Sequence, residues 1–152
     1  EYVGKTFSIV VPEKIEQIIE EGQALKHCLD RSDRYFERIA NQESYIVFLR
    51  RTKAMEQPYY TLEIEPDGTT RQKRTVGDNQ NNDYHRAEKF LKKWQAAIRP
   101  RLSQEDFERQ EISRQLRMYE LDSLRNDKVT VHGGIHAGEL LADILEADLM
   151  EA

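Results

Sequence analysis

The chain has 152 residues, a formal net charge of -5 at pH 7, 38% hydrophobic residues and 34% charged residues. This length allows one domain with a buried core, and the hydrophobic share excludes a chain that is disordered throughout. An acidic chain is not a polycation, so nucleic-acid binding would require a local basic patch. The single cysteine excludes an internal disulfide, which is typical of a cytoplasmic protein in a reducing compartment.

The sequence contains no targeting or membrane-spanning segment that we can identify. No apolar stretch approaches the roughly 18 residues that a membrane span requires, so no membrane partner is predicted. The first residues, EYVGKTFSIVV, lack the basic region and the cleavage site of a signal peptide. The chain also begins without methionine and within a strand-like pattern, and we expect it to be a fragment of a longer protein.

The first 41 residues predict one strand and then helices. TFSIVVP alternates apolar and polar residues at Phe7, Ile9 and Val11, which is the period of a half-buried strand. PEKIEQIIEEGQAL has helix-start signals and an apolar face, and the alternatives are one helix or two short helices divided at Gly22. SDRYFERIAN predicts a further helix whose first residues supply the N-cap.

The middle of the chain predicts an antiparallel meander. SYIVFLRR is apolar and β-branched enough for a central strand, and PYYTLEIE alternates in the manner of a strand. PDG at 66–68 is a tight-turn signal, and TTRQKRTV returns after it as a second arm. These three runs therefore form a hairpin with one further strand beside it.

The C-terminal part predicts three helices. DYHRAEKFLKKWQAAI repeats its apolar residues at spacings of three and four. SQEDFERQEISRQLRMYELDSLRN opens with Ser103 and Asp106, a pair that resembles a capping box, and it either projects from the domain or waits for a partner. KVTVHGGIHAGELLADILEADLMEA predicts a short strand, a glycine turn and an acidic amphipathic helix. The apolar stripe of the second of these helices is thin and consists of Phe107, Ile112, Leu116 and Tyr119.

Together these elements predict an α+β fold. We expect a small antiparallel meander of three or four strands with helices packed on one face and a helical C-terminal extension. Residues 1–100 form the α+β domain in this interpretation, and residues 101–152 form the extension, packed on the same domain. The terminal helix either packs on its own domain or forms a homodimer.

His27 and Cys28 suggest a catalytic pair, because a thiol stands beside an imidazole. Adjacent helical residues point about 100° apart, so these two side chains make a poor dyad by themselves. The alternative is that Cys28 is a small buried hydrophobe and His27 a residue at a helix end. The sequence has no C-x-x-C motif, and the glycines between His132 and His136 argue against a helix that would align these histidines. We therefore predict no metal and no cofactor.

Polar residues on the predicted hairpin form a second group of candidates. Glu63 shares one strand face with Tyr59, Thr61 and Glu65. The neighbouring strands offer Arg50, Arg51, Arg71, Gln72 and Arg74. One interpretation is a solvated sheet face on which opposite charges pair across strands. The other is a polar cleft in which Glu63 and an arginine bind a substrate or a phosphate.

Basic clusters give a third group, interleaved with Tyr59, Tyr60 and Trp94. A surface that contacts a phosphate backbone would have this composition, whereas the alternative is that the basic residues serve solubility. The clusters comprise Arg50, Arg51 and Lys53; Arg71, Lys73 and Arg74; and Lys92, Lys93, Arg99 and Arg101.

Five features follow one another along the chain: EGQALKHCL, a tyrosine, YIVFLR, PYYTLEI and GTTRQKR…GDN. Their order resembles that of the PcfJ-like domain found in proteins of conjugative plasmids and related mobile elements. The resemblance covers about residues 20–80. It departs at Leu29, at Asp30 and in a longer spacing between Gln72 and Gly77. The matching positions are Glu21, Gly22, Leu25, His27, Cys28, Tyr35, Arg50, Pro58, Thr61, Leu62, Glu63, Gln72, Gly77 and Asn79.

The resemblance implies a bacterial, cytoplasmic, mobile-element context and supplies no reaction. It also implies that the matching polar residues, including Tyr35 and Asn79, surround one meander and form either one polar site or a structural hydrogen-bond network. The first functional hypothesis is a module that binds nucleic acid or a protein partner. The alternative is a small enzyme in which His27 is the acid or base, or Cys28 the nucleophile, with Glu63 and Arg50 across a cleft.

Overall fold

The sheet contains five antiparallel strands among the residues that the computed structural model describes, which are 2–25, 37–74, 84–133 and 136–152. The strands are neighbours in chain order. Because there are five of them, the prediction of three or four strands was wrong. The additional strand β1 has two residues, which is too short to show a period of two in the sequence. The strands are β1 (Tyr2–Val3), β2 (Phe7–Val10), β3 (Tyr45–Arg51), β4 (Tyr60–Ile64) and β5 (Thr70–Arg74).

The predicted helices are present, and the first is continuous. Helix α1 runs through Gly22 without a break, so the single-helix alternative is the correct one. Ser103 and Asp106 form the predicted capping box, since each side chain accepts a hydrogen bond from the backbone N–H of the other. Residues 37–40 are helical, whereas the N-cap predicted for that helix lies outside the described residues. The helices are α1 (Ile15–Leu25), α2 (Tyr84–Ile98), α3 (Gln104–Asn126) and α4 (Leu141–Asp148), with 3-10 turns at Thr52–Ala54 and Arg99–Arg101.

Helices cover both faces of the sheet, so the prediction that they pack on one face was wrong. The physical reason is strand β3, in which successive residues are apolar and both faces must therefore be buried. On one face Val47 and Leu49 pack with Leu91 and Trp94 of α2. On the other face Ile46 and Phe48 pack with Ile18 of α1.

The end of the chain returns to the edge strand β5. Met150 belongs to the core under α2, and its backbone exchanges two hydrogen bonds with Thr70, of 2.8 and 2.9 Å. Gln95 of α2 donates from Nε2 to the carbonyl oxygens of Gly68 and Met150, both at 2.9 Å. The strand predicted near residue 130 is reduced to a single bridge between Thr130 and Leu140.

The hairpin between β4 and β5 turns at the predicted PDG sequence. Gly68 has a φ of +93°, a backbone conformation that glycine adopts with little strain. The Glu65 N–H donates to the Thr69 carbonyl at 2.8 Å, and the Thr69 N–H donates to Asp67 Oδ1 at 2.8 Å. None of the helices among the described residues has both the length and the apolar character required to cross a membrane.

Candidate functional site

A β-bulge on β5 places two consecutive side chains, Arg71 and Gln72, on the same face of the sheet. Glu63 pairs with Gln72 and Ile64 pairs with Thr70, so one step on β4 corresponds to two steps on β5 and Arg71 is the extra residue. Because of this irregularity, Arg71 lies on the polar face that Glu63 and Gln72 share. Arg71 thereby reaches carboxylates that a regular strand would have turned away from it.

Glu63 is buried and has hydrogen bonds at both of its carboxylate oxygens. Its side chain is 1% exposed, and Arg38 donates to it from Nε at 2.5 Å and from Nη2 at 3.0 Å. Ser44 Oγ donates to Glu63 Oε2 at 2.5 Å, and Arg71 Nη1 lies 3.7 Å from the same oxygen. Glu63 therefore holds the helical residues at 37–40 and the start of β3 against β4.

Glu65 joins the sheet to α3. Its Oε2 accepts from Arg71 Nε at 2.7 Å and from Arg117 Nε at 2.8 Å. Its Oε1 accepts from Gln110 Nε2 at 2.9 Å and from Arg117 Nη2 at 3.3 Å. Gln110 and Arg117 are seven residues apart on one face of α3, so the helix meets the sheet with polar side chains. We call Arg38, Glu43, Glu63, Glu65, Arg71 and Arg117 the buried arginine–glutamate cluster.

The charges of this cluster are mutually compensated. Arg71 also donates to Glu43 Oε2 at 2.6 Å and to the Ser113 carbonyl at 3.0 Å. Burial acts to lower the pKa of Arg71, but Glu63 and Glu65 outweigh it and hold this pKa above its ordinary value. Arg71 is thus charged at every physiological pH.

The interpretation of this sheet face as solvated was wrong, because α3 covers it. Glu63, Glu65, Arg71 and Gln72 are all buried. For Glu63 to act as an acid or base, its hydrogen bonds to Arg38 and Ser44 would have to break. The arrangement is that of a satisfied structural network, and a catalytic role for Glu63 stays a prediction.

Arg50 forms a separate buried pair with Glu21 of α1. Arg50 Nη2 donates to Glu21 Oε1 at 2.5 Å, and Glu21 is 4% exposed. Glu21 Oε2 and Arg50 Nε have no hydrogen-bond partner in the described structure. Burial raises the pKa of Glu21 to about 7, and the charge of Arg50 lowers it only in part. Glu21 and Arg50 both belong to the PcfJ-like sequence pattern, and the fold brings them together across 29 positions.

The structure does not place Arg50 beside Glu63. Glu63 pairs with Ile46, and Arg50 lies four residues farther along β3 on the same face, about 13 Å away at 3.3 Å per residue. The expected cleft of His27, Glu63 and Arg50 therefore has its two described members in separate clusters. His27, Cys28, Tyr35 and Asn79 lie outside the described residues.

The basic residues of β5 are engaged inside the protein. Lys73 is buried on the α2 side of the sheet, where burial lowers its pKa, and its Nζ lies 3.8 Å from Glu88. Arg74 Nη1 lies 3.5 Å from Asp148 Oδ2 of α4. Together with Arg71, these side chains leave β5 without the basic surface that the sequence interpretation expected.

Helix α2 and the turn that follows it present six basic residues to solvent, and Arg51 and Lys53 at the end of β3 are exposed as well. The apolar residues of α2 face the core, so helical geometry turns its charged residues outward. Between residues 84 and 101 the sequence has a single acidic residue, Glu88. We call the following exposed side chains the α2 basic surface: Arg86, Lys89, Lys92, Lys93, Arg99 and Arg101.

Sequence reasoning missed Arg38 and Arg117 as members of a polar cluster, and it named Glu21 only as a matching position. Glu65 was expected on the same strand face as Glu63, but it was not named as a site residue. Arg117 gave no signal, since a polar stripe on a charged helix normally faces water. Within the described part of the chain, no group of three His, Cys, Asp or Glu residues could hold a metal ion.

Comparison with known proteins identifies one family. A family model described as PcfJ-like protein matches residues 1–89, which is more than half of the chain. The matched part contains all five strands, the Glu21–Arg50 pair and the start of α2. No curated protein matches the chain, and no solved structure matches it.

Proposed function

The chain belongs to the PcfJ-like protein family, and from this premise we propose that it is an accessory domain of a bacterial mobile genetic element that binds nucleic acid through the α2 basic surface. The observation that carries the proposal is the concentration of exposed positive charge on one helix. Residues 84–101 contain six basic residues and one acidic residue, in a chain whose net charge is -5.

The geometry of α2 suits a phosphate backbone. The helix has 15 residues and is therefore about 22 Å long, and Arg99 and Arg101 extend its basic surface beyond Ile98. A row of exposed Lys and Arg side chains of this length can neutralise several consecutive phosphates and release their counterions. The acidic remainder of the protein repels a polyanion, which restricts contact to this face.

Two of the strand arginines are excluded from this interface by their contacts. Arg50 and Arg71 are buried and bound to carboxylates, so neither is available to an external phosphate without disrupting the fold. This moves the proposed interface from the strands, where the sequence suggested part of it, to α2 and the turn that follows it.

The test is fluorescence anisotropy with labelled single-stranded and double-stranded DNA about 20 nucleotides long at low salt. We expect wild-type protein to bind and the triple variant Arg86→Ala, Lys89→Ala, Lys93→Ala to bind at least about tenfold more weakly, because three phosphate contacts are lost. The matched control removes three positive charges from α3 and the turn after it, through Arg109→Ala, Arg114→Ala and Lys128→Ala.

This control should bind as wild type does. If neither DNA binds at low salt, or if the control loses as much affinity as the α2 variant, the proposal is wrong. If the α2 variant lost the ability to bind a protein partner but kept its affinity for DNA, the α2 basic surface would instead be assigned to protein binding.

A second candidate function, a small enzyme of unassigned class, is supported by one observation. A pKa of about 7 is suited to a general acid or base at neutral pH, and Glu21 combines such a pKa with an unpartnered oxygen. The pH dependence of the stability difference between wild type and Glu21→Gln tests whether the pKa of Glu21 is raised in this way.

A further inference from the structure

Helix α3 has its polarity reversed relative to an ordinary surface helix. Its buried residues are Gln110, Ser113, Arg117 and Leu121, of which only the last is apolar. Five of its large apolar residues are exposed instead: Phe107 by 37%, Ile112 by 60%, Leu116 by 45%, Met118 by 47% and Tyr119 by 74%. A helix on a protein surface normally buries its apolar stripe and exposes its polar one. The helix therefore has the pattern of one that waits for a partner, which was one of the two alternatives for this segment.

Three of the exposed apolar residues form one narrow stripe. Ile112, Leu116 and Tyr119 have the spacing i, i+4, i+7, which places them within about 60° of one another around the helix. The stripe is about 10 Å long and lies on the side of α3 opposite Arg117 and Leu121. This spacing is the one that an amphipathic helix presents to another helix. We call Ile112, Leu116 and Tyr119 the α3 apolar stripe.

The stripe is bordered by negative charge. The most exposed charged residues of α3 are all acidic. Arg109 and Arg114 are engaged with Glu105 and Glu111 through hydrogen bonds of 2.7 and 2.9 Å. The exposed acidic residues are Glu105, Glu108, Glu111 and Asp122.

The buried arginine–glutamate cluster fixes α3 in place before any partner arrives. Arg117 and Gln110 bind Glu65, and the Ser113 Oγ donates to the Glu43 carbonyl at 2.7 Å. A partner therefore meets a helix that is already ordered, which lowers the entropic cost of association.

We propose that the outer face of α3 is a docking site for a basic amphipathic helix of a protein partner. The apolar residues of that helix, at i, i+4 and i+7, pack on the α3 apolar stripe, and its lysines or arginines face Glu108 and Asp122. Complementary charge selects this partner over a second copy of the chain. In a symmetric antiparallel pair of α3 helices each flank meets the same flank of the other copy, so the acidic residues would face each other.

The probe is a fluorescein-labelled synthetic helical peptide with Leu at i, i+4 and i+7 and Lys on both flanks. A second peptide has the same leucines and Glu on both flanks. We expect the basic peptide to bind the full chain at least tenfold more tightly than the acidic peptide, because opposite charges face each other only in the first case. The double variant Leu116→Ser, Tyr119→Ser should lower the affinity for the basic peptide at least tenfold.

The matched control is Val11→Ser, Ile15→Ser, which removes two exposed apolar side chains elsewhere and should leave binding unchanged. Equal binding of the two peptides, or equal losses in both double variants, would overturn the proposal. So would sedimentation equilibrium that shows a homodimer of the wild type and a monomer of the Leu116→Ser, Tyr119→Ser variant. DNA binding of that variant should equal that of wild type, which separates this proposal from the function of the α2 basic surface.

Discussion

Glu65 contacts both strand β5 and a helix more than 40 residues away in the sequence. Its carboxylate binds Arg71 on β5 and Arg117 and Gln110 on α3. A buried ion pair of this kind is costly to assemble, because every charge must leave water. Once assembled, it is also costly to break, because the remaining partners keep a charge that nothing compensates.

We predict that Glu65→Gln destabilises the protein by about 3 kcal/mol, because Arg71 and Arg117 are left buried beside a neutral amide. Urea unfolding followed by circular dichroism measures this difference. The control is Glu105→Gln, which removes an exposed carboxylate paired with Arg109 and should change stability by no more than the error of the measurement. Equal stabilities of the two variants would mean that the buried arginine–glutamate cluster does not hold α3.

Titration of the Glu21 carboxyl makes the free energy of unfolding depend on pH. The pKa of this carboxyl is 4.5 in an unfolded chain and about 7 in the folded protein, so folding favours the protonated form. The resulting stabilisation is complete below pH 4.5 and is lost as the pH rises through 7.

We therefore predict that the free energy of unfolding of wild type, relative to that of Glu21→Gln, falls by about 1–2 kcal/mol between pH 4.5 and pH 8 once solvent screening is allowed for. Urea unfolding of both proteins at intervals of half a pH unit measures the difference, in which all other titrating groups cancel. A difference that does not vary over this range would show that Glu21 titrates normally, and the enzyme candidate would lose its support.

At the scale of single elements, the turn between β4 and β5 depends on Gly68. A side chain at this position would have to adopt the φ of +93° that Gly68 has. Its Cβ would also lie only 2.7 Å from Ile98 Cδ1. Gly138 has φ of +87° with no atom within 4 Å of the place where a Cβ would lie, and Gly133 has neither a positive φ nor a close atom. Alanine substitutions at these three glycines therefore distinguish the cost of backbone strain from the cost of side-chain crowding.

We predict that Gly68→Ala costs about 2 kcal/mol, Gly138→Ala about 1 kcal/mol and Gly133→Ala close to nothing, because a left-handed conformation costs alanine roughly 1–2 kcal/mol. Thermal unfolding of the three variants gives the order. If Gly133→Ala were as destabilising as Gly68→Ala, the assigned turn geometry would be incorrect.

The elements themselves were largely predictable, because each one has a local signal. Phe7 and Ile9 alternate, PDG marks the hairpin, and Ser103 with Asp106 marks the start of α3. Strand β1 was not predictable, because two residues cannot show a period. The covering of both sheet faces was missed although β3 is apolar at successive positions, since the charged neighbouring strands suggested an open face.

At the scale of the whole molecule, charge is distributed unevenly over the described surface. Six exposed basic residues lie together on the α2 basic surface, whereas the basic side chains of β5 and Arg50 pair with carboxylates of the protein itself. The outer face of α3 is apolar with an acidic border. The proposed nucleic-acid interface and the proposed protein-docking face thus lie on different helices and have opposite charges.

The candidate site was only partly predictable for a physical reason. Glu63, Arg50, Arg71 and Gln72 were identified correctly as polar residues of one sheet face, and the structure shows them on it or beside it. Whether such residues face water depends on Arg38 and Arg117, which approach from distant parts of the chain. Sequence patterns describe one element at a time, and they do not show which charges another element will neutralise.

The most direct test of nucleic-acid binding through α2 is the salt dependence of DNA affinity in wild type and in the Arg86→Ala, Lys89→Ala, Lys93→Ala variant. Each phosphate contact contributes about 0.9 to the slope of log K against log salt concentration on double-stranded DNA. We predict a steep negative slope for wild type that becomes shallower by about 2.7 in the variant, because three such contacts are removed. A slope that is the same in both proteins, or no binding by wild type at low salt, would contradict this function.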